Sequence, residues 1–202
     1  MTDPALILCV EDVPDTLQLL EVTLHFKGYR VVTARNGREA LTAIRAERPA
    51  LILTDILMPG MDGFSLVHRL RIQPETRDIP IIFLSATYVA PEDKQFANAI
   101  GVTRFIEKPI SIEEMLKTVS DLLAAKSQPR EPMNQKAFYE GYRKRLEEKL
   151  SQKVNQIVRT EGMMETLNEA EKKSFSLSLQ EFKNERDEIQ NLLDQIRELT
   201  AS

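Results

Sequence analysis

The stretch Leu51 to Gly63, LILTDILMPGMDG, constrains this chain more than any other. Leu51, Ile52 and Leu53 form an apolar run too short for a helix and bounded by turn-formers, which predicts a strand buried on both faces. Asp55 ends it. Pro59, Gly60, Asp62 and Gly63 then force a turn, so the Asp55 carboxylate stands at a strand mouth rather than inside a ladder. In an open parallel sheet, that carboxyl edge is where ligands bind.

Four further apolar runs read as strands: Ala5 to Val10, ending in Glu11 and Asp12; Tyr29 to Ala34; Ile79 to Leu84, ending in Ser85; and Val102 to Ile106, ending near Lys108-Pro109. Helical patterns alternate with them. The first follows Pro14, with Leu17, Leu20, Val22, Leu24 and Phe26 on its apolar side, and stops at Gly28. Asn36-Gly37 turns the chain into the second, which carries Ala40, Leu41, Ala43 and Ile44 and closes at Pro49. A third runs from about Phe64 to Ile72 with Leu66, Val67 and Leu70 inward, and a short fourth follows Pro91 with Phe96, Ala97 and Ile100. Ser111 and Glu114 form a capping box that opens the fifth, through Leu116, Val119, Leu122 and Leu123. Five buried strands alternating with five helices predict a doubly wound α/β domain, because each parallel crossover needs room for a helix.

If all five strands run the same way, Glu11, Asp12, Asp55, Ser85 and Lys108 meet on one edge. Carboxylates in one cleft repel by about 3 kcal/mol per close pair at an effective dielectric near 20, so something cationic must offset them. Lys108 supplies one charge. An all-oxygen site suits Mg²⁺ better than zinc, which prefers imidazole and thiolate. The cluster thus fits a metal plus an anionic group, with a carboxylate as nucleophile toward phosphorus.

These residues resemble the receiver domains of bacterial two-component response regulators. The likeness covers about Leu6 to Ala124 and rests on Glu11-Asp12, Asp55 with Met58-Pro59-Gly60-Met61-Asp62-Gly63, Ser85-Ala86, Phe105 and Lys108-Pro109. It implies a flavodoxin-like sheet of order 2-1-3-4-5 and a phosphoryl group accepted by Asp55 from a histidine kinase or phosphotransfer protein. It also implies Mg²⁺ held by Asp12, Asp55 and the backbone carbonyl of Leu57, with Glu11 assisting through water. Lys108 would pair with a phosphoryl oxygen, Ser85 would bond another, and Phe105 would turn inward as Ser85 moves. A cis Lys108-Pro109 bond is implied as well. Such a protein modifies itself and is not an enzyme acting on other molecules.

Rival classes fit less well. An aspartyl-phosphate hydrolase would carry a second carboxylate two residues after the nucleophile, where this chain has Leu57. A flavin carrier needs a hydroxyl- and glycine-rich phosphate loop after its first strand, where Glu11-Asp12 would repel a phosphate. Cys9, the one cysteine, excludes an intrachain disulfide and reads as a small buried hydrophobe. No apolar run approaches the roughly 20 residues that span a bilayer, and MTDPALIL lacks the order of a secretory signal, so the expectation is a cytoplasmic protein. His25 and His68 fall within helices and are expected at the surface or half-buried.

The receiver-like segment is predicted to occupy 1–125, with a linker over 126–133 and a helical module over 134–202. KSQPREPMNQ supplies the linker's prolines and polar residues. Tyr139, Tyr142, Leu146, Leu150, Val154 and Ile157 predict a helix from about Asn134 to Thr160; Gly162 and Asn168 bracket a break, and Asn168 with Glu171 starts another helix. Phe175, Leu179, Phe182, Arg186, Ile189, Leu193 and Ile196 then make a heptad seam interrupted by Arg186. Net charges of +4 for 133–159 and −5 for 160–202 favour an antiparallel hairpin, whose seam could meet a second copy in a four-helix bundle. Two amphipathic helices packed on the receiver, or a monomeric adaptor tail docking a kinase, are the alternatives. A net charge of −4 and long helices argue against nucleic acid and a DNA-binding effector, though a transcriptional regulator stays in view. With no histidine after His68, the tail is not a phosphohistidine module.

Overall fold

The computed structural model describes residues 4–85, 91–125, 133–164 and 169–200. Ala86, the body of the linker and Asn168 lie outside the described residues. The chain divides into two compact units, Met1–Asn134 and Gln135–Ser202.

In the first unit, β1 (Leu6–Val10), β2 (Arg30–Ala34), β3 (Leu51–Asp55), β4 (Ile81–Ser85) and β5 (Arg104–Glu107) form one parallel sheet of order β2-β1-β3-β4-β5. The helices α1 (Pro14–Phe26), α2 (Gly37–Ala46), α3 (Gly63–Arg71), α4 (Pro91–Ile100) and α5 (Ile112–Ala124) are the crossovers. The expectation of five buried strands holds for β1, β3 and β4. The edge strands β2 and β5 stay partly exposed, since each pairs on one side only.

One core gathers Ile7, Leu53 and Leu84 of the sheet with Leu20 and Leu24 of α1 and Met115 and Val119 of α5. Helical spacing corrects the apolar side expected for α1. Leu17, Leu20 and Leu24 are buried, whereas Val22 is 60% and Phe26 86% exposed, on a second stripe with Leu19. Ser111 caps α5 through the amide of Glu114 as the sequence predicts. Cys9 is buried, and burial, with the Glu21 charge, pushes its thiol up to about 12. His68 departs from expectation. It lies buried on α3, where burial first and Arg69 second push its imidazole below the usual range. The period of α3 that buries Leu66, Val67 and Leu70 also carries Phe64, His68 and Arg71 inward, because seven of its nine residues are buried.

In the second unit, α6 (Gln135–Met164) and α7 (Glu169–Thr200) form a hairpin. The pairs Lys153–Glu185 and Lys183–Glu161 descend along α7 as they ascend along α6, so the helices run antiparallel. Helix α6 continues past Thr160 and Gly162 to Met164, because a single glycine costs only about 1 kcal/mol in a helix. Ile189, Leu193 and Ile196 of the seam are buried, Leu179, Phe182 and Arg186 half-buried, and Phe175 exposed. Val154 is also exposed. Lys153 takes the inward place, its ammonium 4.9 Å from the Phe182 ring centroid and 2.6 Å from Glu185. A long aliphatic stem can cover apolar surface while its charge stays paired. Among the described residues no helix is long and apolar enough to cross a membrane.

Leu20→Ala is expected to destabilise the first unit by about 2–5 kcal/mol, the range for emptying a packed leucine site, whereas Phe26→Ala changes stability by less than about 0.5 kcal/mol. Urea unfolding of the two variants checks the contrast.

Candidate metal and phosphoryl site

Parallel pairing brings the ends of β1, β3, β4 and β5 to one rim. Asp55 pairs with Leu84 and Ser85 with Glu107, so each polar residue sits one step beyond an apolar ladder. Glu11, Asp12 and Asp55 offer carboxylate oxygens that all lie within 4.8 Å of one another. Lys108 joins them. Its Nζ donates to Glu11 Oε2 at 2.7 Å and to Asp55 Oδ2 at 2.9 Å, while its backbone N–H donates to Ser85 O at 2.7 Å. The Lys108-Pro109 bond is cis.

Neighbouring amides hold the carboxylates. The Ile56 N–H donates to Asp55 Oδ1 at 2.6 Å, and the Val13 N–H to Glu11 Oε1 at 3.3 Å. Glu11 is fully buried, whereas Asp12 and Asp55 are half-buried and reach water. Burial raises the Glu11 carboxyl above its usual range; the bond from Lys108 pulls it down and the Asp55 charge pushes it up. Asp12 is raised too, first by burial, against its own backbone bond, and by the charge on Asp55. For Lys108, burial lowers the ammonium, but bonds from it to Glu11 and Asp55 outweigh that and leave it raised.

The remaining expected residues are near but play different geometric parts. Ser85 is buried, and its hydroxyl has no hydrogen-bond partner among the described residues. Phe105 is half-buried, edge-on to Phe83 at 5.8 Å between centroids. Leu57 is exposed in the loop after β3, and Asp62 is a buried N-cap whose Oδ1 accepts from Ser65 N at 2.8 Å. Two contacts escape a reading by residue type. The Gly63 N–H donates to Ile56 O at 2.9 Å, and a Cβ on Gly63 would strike the carbonyl oxygen of Asp55. Arg71, buried, donates from Nη2 and Nε to Gly101 O at 2.8 and 3.2 Å. Gly63 was legible as a turn-former, and its partner was not.

The donor set fits Mg²⁺: oxygen only, three carboxylates, and two of them open to water. Fold and site together define a doubly wound domain with an acid-lysine pocket at its carboxyl edge. The response regulator receiver domain model matches residues 7–120, and the chain belongs to that family. It is 35% identical over 120 residues to protein PilH of Pseudomonas aeruginosa, covering 59% of this chain and 98% of PilH. Among solved structures it resembles the chemotaxis response regulator CheY4 of Vibrio cholerae, with 38% identity and a TM-score of 0.56 over 59% of this chain and 98% of that one. The receiver domain of sensor histidine kinase PA1611 from P. aeruginosa, 29% identical with a TM-score of 0.56 over 60% and 99%, has magnesium in its active-site cleft. The matches cover the first unit and leave the hairpin unassigned.

Mg²⁺ needs charged oxygens, and carboxyls with raised proton affinity surrender them earlier on acidification. The Mg²⁺-induced rise in Tm is therefore expected to shrink on acidification, and to begin shrinking at a higher pH than carboxylates of ordinary proton affinity would give. In metal-free protein the sign reverses. A carboxyl whose folded pKa is raised favours folding at low pH and loses that contribution as pH rises through the folded value, so Asp12→Asn should raise the neutral-pH Tm by a few degrees without metal. Thermal melts across pH with and without Mg²⁺ test both.

Proposed function

We propose that this chain is a two-component response regulator that takes a phosphoryl group on Asp55 and passes the change to its C-terminal helices. The observation that carries the reading is the Lys108 ammonium bridging Glu11 and Asp55, with Asp12 alongside, at the rim of a parallel sheet. Asp12, Asp55 and the backbone carbonyl of Leu57 would hold Mg²⁺, with Glu11 acting through water. Bound there, the ion supplies positive charge that offsets the oxygens of the transferred group.

The donor is a phosphohistidine of a sensor kinase or phosphotransfer protein. A carboxylate oxygen of Asp55 forms the new P–O bond, the P–N bond breaks, and its electron pair leaves with the imidazole nitrogen. Lys108 gives up a carboxylate partner to pair with a phosphoryl oxygen. Ser85, whose buried hydroxyl has no partner among the described residues, donates to another, and Phe105 follows it. This chemistry ends on the protein's own side chain, so it is a phosphoacceptor rather than an enzyme with outside substrates. The single thiol, buried and unable to form an intrachain disulfide, suits the cytoplasm.

Exposed apolar residues support two docking roles. Leu19, Val22 and Phe26 line one face of α1, which begins just after Asp12, and suit the helices of a phosphodonor protein. Val154, Val158, Met163, Phe175 and Leu177 are exposed on the hairpin, which fits self-association into a dimer that engages a protein target.

Incubation with a small phosphodonor and Mg²⁺ should add one phosphoryl mass to the intact protein, and Asp55→Asn should abolish the addition. No addition on the wild type, or an undiminished one on the variant, rejects the phosphoacceptor. Phe26→Glu is expected to slow transfer from a phosphorylated histidine phosphotransfer protein about tenfold or more while leaving the small donor unaffected. Sedimentation velocity of the full chain, with and without phosphodonor, tests the dimer, and a monomer in both states removes it.

A further inference from the structure

Asn36-Gly37 reads in the sequence as a turn into a helix, yet in the fold it touches the loop that follows Asp55. Gly37 is the first residue of α2, and its N–H donates to the carbonyl of Met61 at 3.0 Å. A helix's first amides lack partners within the helix, so this one is satisfied by the β3–α3 loop instead. The approach leaves no room for a side chain. A Cβ on Gly37 would stand 2.6 Å from Met61 Cγ, 2.8 Å from its carbonyl oxygen and 2.9 Å from Sδ.

The brace is itself well fixed. Asn36 Oδ1 accepts from Arg38 N and Glu39 N, both at 3.0 Å, and the Glu39 carboxylate accepts from Arg35 N at 2.9 Å and Asn36 Nδ2 at 3.0 Å. On the loop's other flank, Gly63 bonds Ile56 O. Residues 56–62, which include Leu57, are thus held between two glycines that permit backbone contact.

We infer that Gly37 is a positioning residue for the metal site: through Met61 it fixes the loop that carries Leu57, whose carbonyl the proposed function assigns to Mg²⁺ with Asp12 and Asp55. The inference rests on the Mg²⁺ assignment above. Mg²⁺ demands near-octahedral oxygens at about 2.0–2.1 Å, so a loop displaced by a few tenths of an ångström binds it less well. Loss of a group that orients a metal ligand commonly weakens binding about 10- to 100-fold, and a displaced loop that can partly relax should fall at or below that range.

Gly37→Ala in the full chain is expected to weaken Mg²⁺ binding about three- to tenfold by isothermal titration calorimetry. The Mg²⁺ needed for half-maximal phosphorylation by a small phosphodonor should rise by the same factor, with far less change in the rate at saturating Mg²⁺. Adding Met61→Ala, which clears the side-chain overlap, should recover part of the affinity. A merely structural role would lower the saturated rate and leave the half-saturating concentration in place; that outcome, or unchanged affinity, overturns the inference. Should circular dichroism show Gly37→Ala unfolded, Asn36→Ala, which frays the brace without adding bulk, carries the measurement: weaker Mg²⁺ binding supports the inference and unaltered binding overturns it. A wild type that binds no Mg²⁺ overturns the metal assignment and this inference with it, while phosphorylation at Asp55 is judged separately by mass.

Discussion

The ammonium of Lys108 lies 2.7 Å from Glu11 and 2.9 Å from Asp55, and the rest of the rim is arranged around that contact. Three carboxylates share a space in which their oxygens come within 4.8 Å of one another. At an effective dielectric near 20, each like-charge pair at such range costs about 3–4 kcal/mol, more than a surface ion pair returns. One half-buried cation cannot cancel three anions. The rim keeps a residual negative charge, which adds to burial in raising the Glu11 and Asp12 carboxyls and makes a divalent ion the natural complement.

Backbone geometry makes that crowding unavoidable. Parallel strands end together, and the pairings Val10–Thr54, Asp55–Leu84 and Ser85–Glu107 leave no register in which the polar ends could separate. Slipping one strand by a residue would turn its apolar side chains to the wrong face of the sheet. The central strands β1 and β3 are buried on both faces, so the core that fixes the fold also fixes the carboxylates. Stability and site are coupled through the same ladder.

Much of this was legible in the chain. Short apolar runs that stop at Asp, Glu, Ser or Lys encode both the sheet and its rim, because period and polarity are local properties. What local pattern could not settle was which of two apolar stripes on α1 faces inward. Val22 and Phe26 look as hydrophobic as Leu20 and Leu24, and only packing on the sheet separates them. His68 was misjudged for the opposite reason, and Lys153 takes the inward place expected of Val154: a polar label hid positions that the helical period sends inward. Contacts such as Gly37 with Met61 join residues 24 apart in sequence, and nothing in either residue's type announces the other.

The rim also holds an asymmetry that bears on the proposed phosphoryl switch. Lys108 is satisfied in the resting arrangement, bonded to two carboxylates, whereas the buried Ser85 hydroxyl has no partner among the described residues. A buried polar group without a partner costs about 1–3 kcal/mol, so an acceptor oxygen brought within reach of Ser85 would be taken up. On the proposed reading, a phosphoryl group on Asp55 brings anionic oxygens within reach of both. Lys108 would exchange one anionic partner for another at little net change, while Ser85 would gain a charge-assisted bond. The larger gain therefore falls on β4, whose register ties Ser85 to Glu107 of β5, and whose Phe83 meets Phe105 two residues earlier in that strand. On that reading, movement that begins at the hydroxyl has a path through the Phe83–Phe105 contact toward the β5 edge of the sheet.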